Sequence, residues 1–188
     1  MIEYPANVIL SIHVRSLPSL ISAAVLLLVI LVVLAFLPFA RHKREFLAVL
    51  GFLTALFFYL FGYGAFSTSH TLNQVVFFTR ICFTGALFIP LTLYFLVGVI
   101  TAKYCRTCAS ALALVTVLFL TALWAGEWLV TYSLKPMSPG GQPILAIGLF
   151  YPLMAGFILV PAAFLIGRLI QFLHASPTFR KASWSLIV

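Results

Sequence analysis

The sequence predicts an all-α fold, a polytopic transmembrane helix bundle of about five spans plus the start of a sixth. Three observations lead there. Of the 188 residues 64% are hydrophobic and only 7% charged, whereas a water-soluble domain is about half apolar and about a quarter charged. The apolar residues fall into runs of about 20, the length that crosses roughly 30 Å of hydrocarbon at about 1.5 Å per residue. Within a bilayer core every backbone N–H and C=O must be paired internally, so a spanning run is a helix or a strand of a closed barrel. Barrel strands alternate in polarity over about ten residues; the run from Leu20 to Phe39 shows no alternation.

The elements follow in order. Residues 1–18 mix apolar positions with Glu3, His13 and Arg15, which suits an interfacial or extracytoplasmic segment. A cleaved signal peptide is not expected, because no Lys or Arg precedes the first apolar stretch within the first twelve residues. Spans are expected at Ser19–Phe39, Phe46–Phe66, Val75–Ile100, Ala109–Tyr132 and Ile144–Leu173, making residues 19–173 the bundle. Pro90 in the third span and Pro152 and Pro161 in the fifth remove helix donors, so kinks are expected there. After His174 to Lys181 the chain turns apolar again, and residues 174–188 read as a cytoplasmic segment leading into a sixth helix.

Orientation comes from the basic residues. Arg41, Lys43 and Arg44 follow the first span, Lys103 and Arg106 the third, and Arg168, Arg180 and Lys181 surround the end of the fifth, while the alternate loops hold only Arg15, Arg80 and Lys135. Basic loops stay in the cytoplasm. The N-terminus is therefore expected outside an inner (plasma) membrane. The formal charge of +8 does not suggest nucleic acid, since the cations lie singly or in threes at span ends and not in one patch. The expected partners are the lipid bilayer and other membrane proteins.

Chemistry has few candidates. With three acidic residues in all, general acid–base catalysis lacks its groups, and no phosphate loop, nucleophile elbow or zinc-protease motif is present. No enzymatic activity is expected. All four histidines fall in loops or at interfaces, which argues against an intramembrane haem. Cys105 and Cys108 form C-x-x-C without a second pair to complete a metal site. They read as ordinary reduced thiols, with lipidation or redox activity as alternatives. No cofactor and no metal are expected.

Ionisable groups inside a membrane are costly and mark functional sites. Arg80 lies about one turn into the third span and Glu127 about one turn from the outer end of the fourth. If the two spans are neighbours, the charges share one depth and can pair. Alternatively Arg80 reaches the headgroups and Glu127 reaches water. Tyr59, Tyr63, Ser67, Ser69, His70, Thr79, Trp124 and Trp128 lie at the same outer level, as lining of a shallow pocket or as interfacial anchors. Arg80, Glu127, Tyr63, His70 and Trp124 are the candidate ligand-binding residues.

Across the second and third spans the pattern R-I-x-x-x-G-x-x-F-x-P, formed by Arg80, Ile81, Gly85, Phe88 and Pro90, resembles the seven-helix membrane region at the N-terminus of some bacterial histidine kinases and diguanylate cyclases. The stretch from Pro139 to Trp184 is similar to the same family's fifth helix, its basic cytoplasmic loop and the beginning of its sixth. The resemblance extends from about the first span to the end. It implies a sensory, signal-transducing membrane domain with an outer ligand pocket and a cytoplasmic output partner. The chain departs from that family in showing no sixth and seventh helices and no kinase or cyclase domain within these 188 residues. The alternative is an accessory scaffold subunit of a large photosynthetic or respiratory membrane complex, packing through small residues such as Gly62, Gly64, Gly85, Ala86, Gly98, Gly148, Ala155 and Gly156.

Overall fold

The computed structural model describes residues 6–39, 43–69, 72–102, 104–126, 130–132, 145–147 and 151–175. Five helices, each long and apolar enough to cross a membrane, make up the architecture of these residues: α1 (Ala6–Phe36), α2 (Lys43–Thr68), α3 (Leu72–Thr101), α4 (Arg106–Ala125) and α5 (Tyr151–Ala175). The segment expected to lie apart from the first span is helical from Ala6 onward and runs through Pro18 into it without a break. A 3₁₀ turn at Leu37–Phe39 ends that helix around Pro38, as expected where the residue before proline is pushed out of the α region. The expected start of a sixth helix lies outside the described residues.

Two boundaries differ from the sequence reading. The fourth span stops at Ala125, where Gly126 takes an extended conformation, and not at Tyr132. The fifth begins at Tyr151 and not at Ile144. The apolar residues between them are partly in a short antiparallel ladder, β1 (Val130–Tyr132) with β2 (Leu145–Ile147), in the register Val130↔Ile147. β-Branched and aromatic residues favour a pleated strand, and a hydrophobicity count does not separate them from a helix. Pro152 consequently sits in the first turn of α5, where a missing N–H has no intrahelical acceptor to leave unpaired. Only Pro161 interrupts that helix, and α3 likewise continues through Pro90.

Helix α3 is central. It packs on α2, α4 and α5, while α1 packs on α2. Glycines set the closest approaches. At Gly85 a methyl group would come within 2.7 Å of the Ala55 carbonyl oxygen and also meet the Tyr59 backbone nitrogen; at Gly62 it would fall 2.6 Å from Cys82 Cα. The α2 and α3 backbones therefore touch directly, the packing mode that small residues permit between membrane helices. Gly64 instead admits side chains of α1, and a methyl there would lie 2.7 Å from Leu20 Cδ2. On the other side Leu87, Leu123 and Met154, all buried, join α3, α4 and α5, and the Phe119 and Phe157 rings meet at 5.4 Å. Nearer the α3 C-terminus, Leu93, Val97 and Leu165 form a second cluster.

The α3–α4 turn carries the one described non-glycine residue with positive φ, Ala102 at 53°. A left-handed residue just past a helix end is usually glycine, because Cβ crowds the carbonyl there at a cost of about 1–2 kcal/mol. Ala102→Gly is expected to raise stability by about 0.5–1 kcal/mol after its larger unfolded-state entropy is counted. A detergent-unfolding midpoint that falls would refute this assignment of the turn.

Candidate functional site

The outer polar site forms where the first part of α3 meets the last turn of α4. Arg80 is half-buried, and its guanidinium carbon lies 5.7 Å from the centroid of the Trp124 ring. Trp124 Nε1 donates to Thr84 Oγ1 at 3.1 Å, and the Thr84 hydroxyl donates to the Arg80 carbonyl at 2.7 Å. Trp124 is thus tied to α3 twice, by its ring over the cation and by its N–H one turn further along. Thr84 is the member of the site that the sequence reading misses. Its signal is the i,i+4 spacing from Arg80, which puts both on one face of α3.

Hydrogen bonding at the site is incomplete among the described residues. Among the described residues, Arg80 Nε is buried without a hydrogen-bond partner, and so is the hydroxyl of Thr79, which is 2% exposed. At the centre of a span an arginine costs about 2.5–3.5 kcal/mol on insertion scales, and less toward a span end, where Arg80 lies. A cation–π contact returns roughly 0.5–2 kcal/mol depending on desolvation. Trp124 therefore offsets part of that cost.

The other candidates divide. Tyr63 lies on α2, half exposed at 49%, and its carbonyl accepts from Ser67 Oγ at 2.9 Å; no described contact joins its side chain to Arg80. Tyr59 is one turn earlier and 37% exposed. Glu127, Trp128 and His70 lie outside the described residues, and the expected Arg80–Glu127 pair lies outside them with Glu127. Among the described residues no group of three potential metal-ligating side chains occurs.

The opposite end of the bundle gathers cations. Arg44 lines a cleft of about 390 Å³ with Tyr104, and Arg168 lines another, of about 590 Å³, with Tyr104, Cys105 and Cys108. The starts of α2 and α4 and the last part of α5 thus share one end, as alternating antiparallel helices require.

No family model matches the chain, and no curated protein or solved structure matches it.

Proposed function

We propose that this chain is a non-catalytic sensory domain of a bacterial inner (plasma) membrane, spanning it five times with the N-terminus outside. The Arg80–Trp124 site supports this reading. A half-buried guanidinium, its Nε without a partner among the described residues, sits near one end of α3, the helix that contacts three of the other four. A carboxylate or other acceptor arriving from outside would complete the hydrogen bonding of Arg80 and bias the packing of α3 against α4. A ligand shifts such an equilibrium only through different affinity for the two states, and Arg80 with Trp124 provides groups whose contacts would differ. Signal then passes along α3 to the basic end and a cytoplasmic output partner.

The orientation is motivated by Arg44, Arg106 and Arg168 at one end of the bundle and by the positive-inside rule. A membrane-impermeant maleimide added to intact cells is expected to spare Cys105 and Cys108, both exposed in the fold, and to label them after the inner membrane is permeabilised. Labelling from outside would reverse the topology and put the Arg80 site in the cytoplasm.

The accessory-scaffold reading draws on glycines open to a partner. At Gly156 and Gly167 on α5, nothing lies within 4 Å of the point where a methyl group would stand, beside the exposed Leu159, Val160 and Phe164. Gly62, Gly64 and Gly85 weigh the other way, being occupied by contacts within the chain. Gentle solubilisation followed by mass spectrometry separates the two. A large complex recovered in fixed stoichiometry favours the scaffold, and recovery without one favours the sensor.

A further inference from the structure

The basic end of the bundle holds a pair of thiols that the sensory reading does not use. Cys105 is the N-cap of α4, with extended backbone angles of φ −108° and ψ 112°, and Cys108 lies in the first turn of the same helix. Both are exposed. The N-cap is held from α3: the Tyr94 hydroxyl donates to the Cys105 carbonyl and accepts from the Cys105 N–H, each at 3.0 Å. Tyr94 also lines the cleft that Cys108 faces.

A helix N-terminus presents unpaired N–H groups and the positive end of the helix dipole, both of which favour an anion. Here the anion would be the Cys105 thiolate. The Cys108 backbone N–H, and after it the Cys108 thiol, lower the pKa of Cys105 below the usual thiol range, although the Cys105 sulfur makes no cap hydrogen bond to α4; Cys105 lies outside the spanning segment. The thiolate is the reactive form of cysteine. The charged group that lines the cleft with the pair is a cation, Arg168 on α5, with the phenols of Tyr94 and Tyr104; no described carboxylate lines the cleft.

Spacing lets the second sulfur resolve what the first begins. Side chains three apart on a helix have Cβ atoms about 5–6 Å from each other, and a disulfide requires about 3.5–4.5 Å. An extended N-cap is free to close that gap, because its φ and ψ are not fixed by the helical ladder. The cleft of about 590 Å³ is lined by both cysteines and has an apolar wall of Pro161 and Phe164, with Arg168 at its side. That volume suits a small molecule, and a guanidinium suits a carboxylate.

We propose that Cys105 and Cys108 form a redox-active dithiol that reduces low-molecular-weight, carboxylate-bearing disulfides docked in this cleft beside Arg168. The Cys105 thiolate attacks one sulfur of the substrate R–S–S–R, giving a Cys105–S–S–R mixed disulfide and one RS⁻. Cys108, on losing its proton, attacks Cys105 Sγ, breaking the mixed disulfide, releasing the second RS⁻ and leaving a Cys105–Cys108 disulfide. Two electrons pass from the dithiol to the substrate. The two protons lost by the cysteines are taken up by the two released thiolates. This exchange is one turnover per reduced chain, so it leaves the sensory domain non-catalytic, and it does not depend on whether the Arg80 site binds a ligand.

The test uses the full chain in detergent at pH 7 with oxidised glutathione as probe. Two reduced glutathiones should appear per chain, and alkylation with mass spectrometry should place the new disulfide between Cys105 and Cys108, leaving the buried Cys82 as thiol. Cys108→Ser should stop at one released glutathione with Cys105 glutathionylated. Cys105→Ser should react more slowly, because the thiol left at position 108 is only a few per cent ionised at this pH. Arg168→Gln should slow the reaction with oxidised glutathione several-fold more than the reaction with uncharged bis(2-hydroxyethyl) disulfide. Equal slowing with both disulfides would overturn the docking assignment. Cysteines that stay freely alkylatable, react equally fast in the two serine variants, or carry hydroxylamine-labile acyl groups would overturn the dithiol itself.

Discussion

Gly85→Leu is expected to uncouple α2 from α3 and to be the most damaging single substitution in the bundle. The site allows no side chain: a methyl at position 85 would already lie 2.7 Å from the Ala55 carbonyl oxygen and 2.9 Å from the Phe58 carbonyl carbon. Those are backbone atoms of a helix, which cannot turn aside as a side-chain tip can. Relief requires the two helices to part along their length. Overpacking in a well-packed core costs about 1–3 kcal/mol and occasionally more. Gly85→Ala should fall in that range, and Gly85→Leu above it. Parting the helices also forfeits close van der Waals contact, a main source of helix association in lipid. Gly167→Leu provides the control, since nothing lies within 4 Å of the added Cβ there and replacing glycine in a helix favours stability by up to about 1 kcal/mol. Unfolding midpoints in mixed micelles measure both. Equal midpoints for the position-85 and position-167 variants would show that α2 and α3 do not touch at Gly85.

Much of this architecture is legible in the sequence because length and apolarity suffice to find a spanning helix, and the first three spans fall within a few residues of α1 from Leu17, α2 and α3. The later boundaries are not. Val130, Thr131, Tyr132 and the Leu145–Ile147 stretch count as apolar whether they form a helix or a ladder, and Gly126 is the stop signal that a count of apolar residues passes over. The candidate site shows the same division. Depth can be read, since antiparallel sequential helices return Trp124 to the level of Arg80. Azimuth cannot. A soluble helix marks its inner face with an apolar stripe, whereas α3 and α4 are apolar nearly all round, so the sequence leaves open which neighbours Arg80 meets. The ring of Trp124 and the hydroxyl of Thr84 emerge only from packing. At the other end, the C-x-x-C is visible, but its place at the N-cap requires knowing that α4 starts at Arg106, three residues before the expected span. Once that start is known, the two thiols stand at the N-cap and in the first turn of a helix, beside a cleft.

Leu87→Ala is expected to show whether α3, α4 and α5 are held together at one point. Leu87 and Met154 are fully buried and Leu123 is 1% exposed, each on a different helix. In a water-soluble core, Leu→Ala costs about 2–5 kcal/mol, combining lost transfer from water with the cavity left behind. Lipid tails are as apolar as leucine, so for a bundle that unfolds into separated helices in a membrane or micelle the transfer part, roughly 1.5–3 kcal/mol, largely drops out. The cavity part remains, because a void forfeits dispersion contacts whatever the solvent. The expected loss is therefore about 1–2 kcal/mol, with Leu123→Ala similar. The double substitution should cost less than the sum, since both side chains line the same junction and the second deletion enlarges a void already open. Leu159→Ala on the outer side of α5, where the side chain is 67% exposed, should change the midpoint by less than about 0.5 kcal/mol. Additive losses at Leu87 and Leu123 would separate α3 from α4 at this level, and with them the wall that carries Arg80 and Trp124. A loss at Leu159 as large as at Leu87 would mean that the outer face of α5 is covered, which is the outcome the scaffold reading requires.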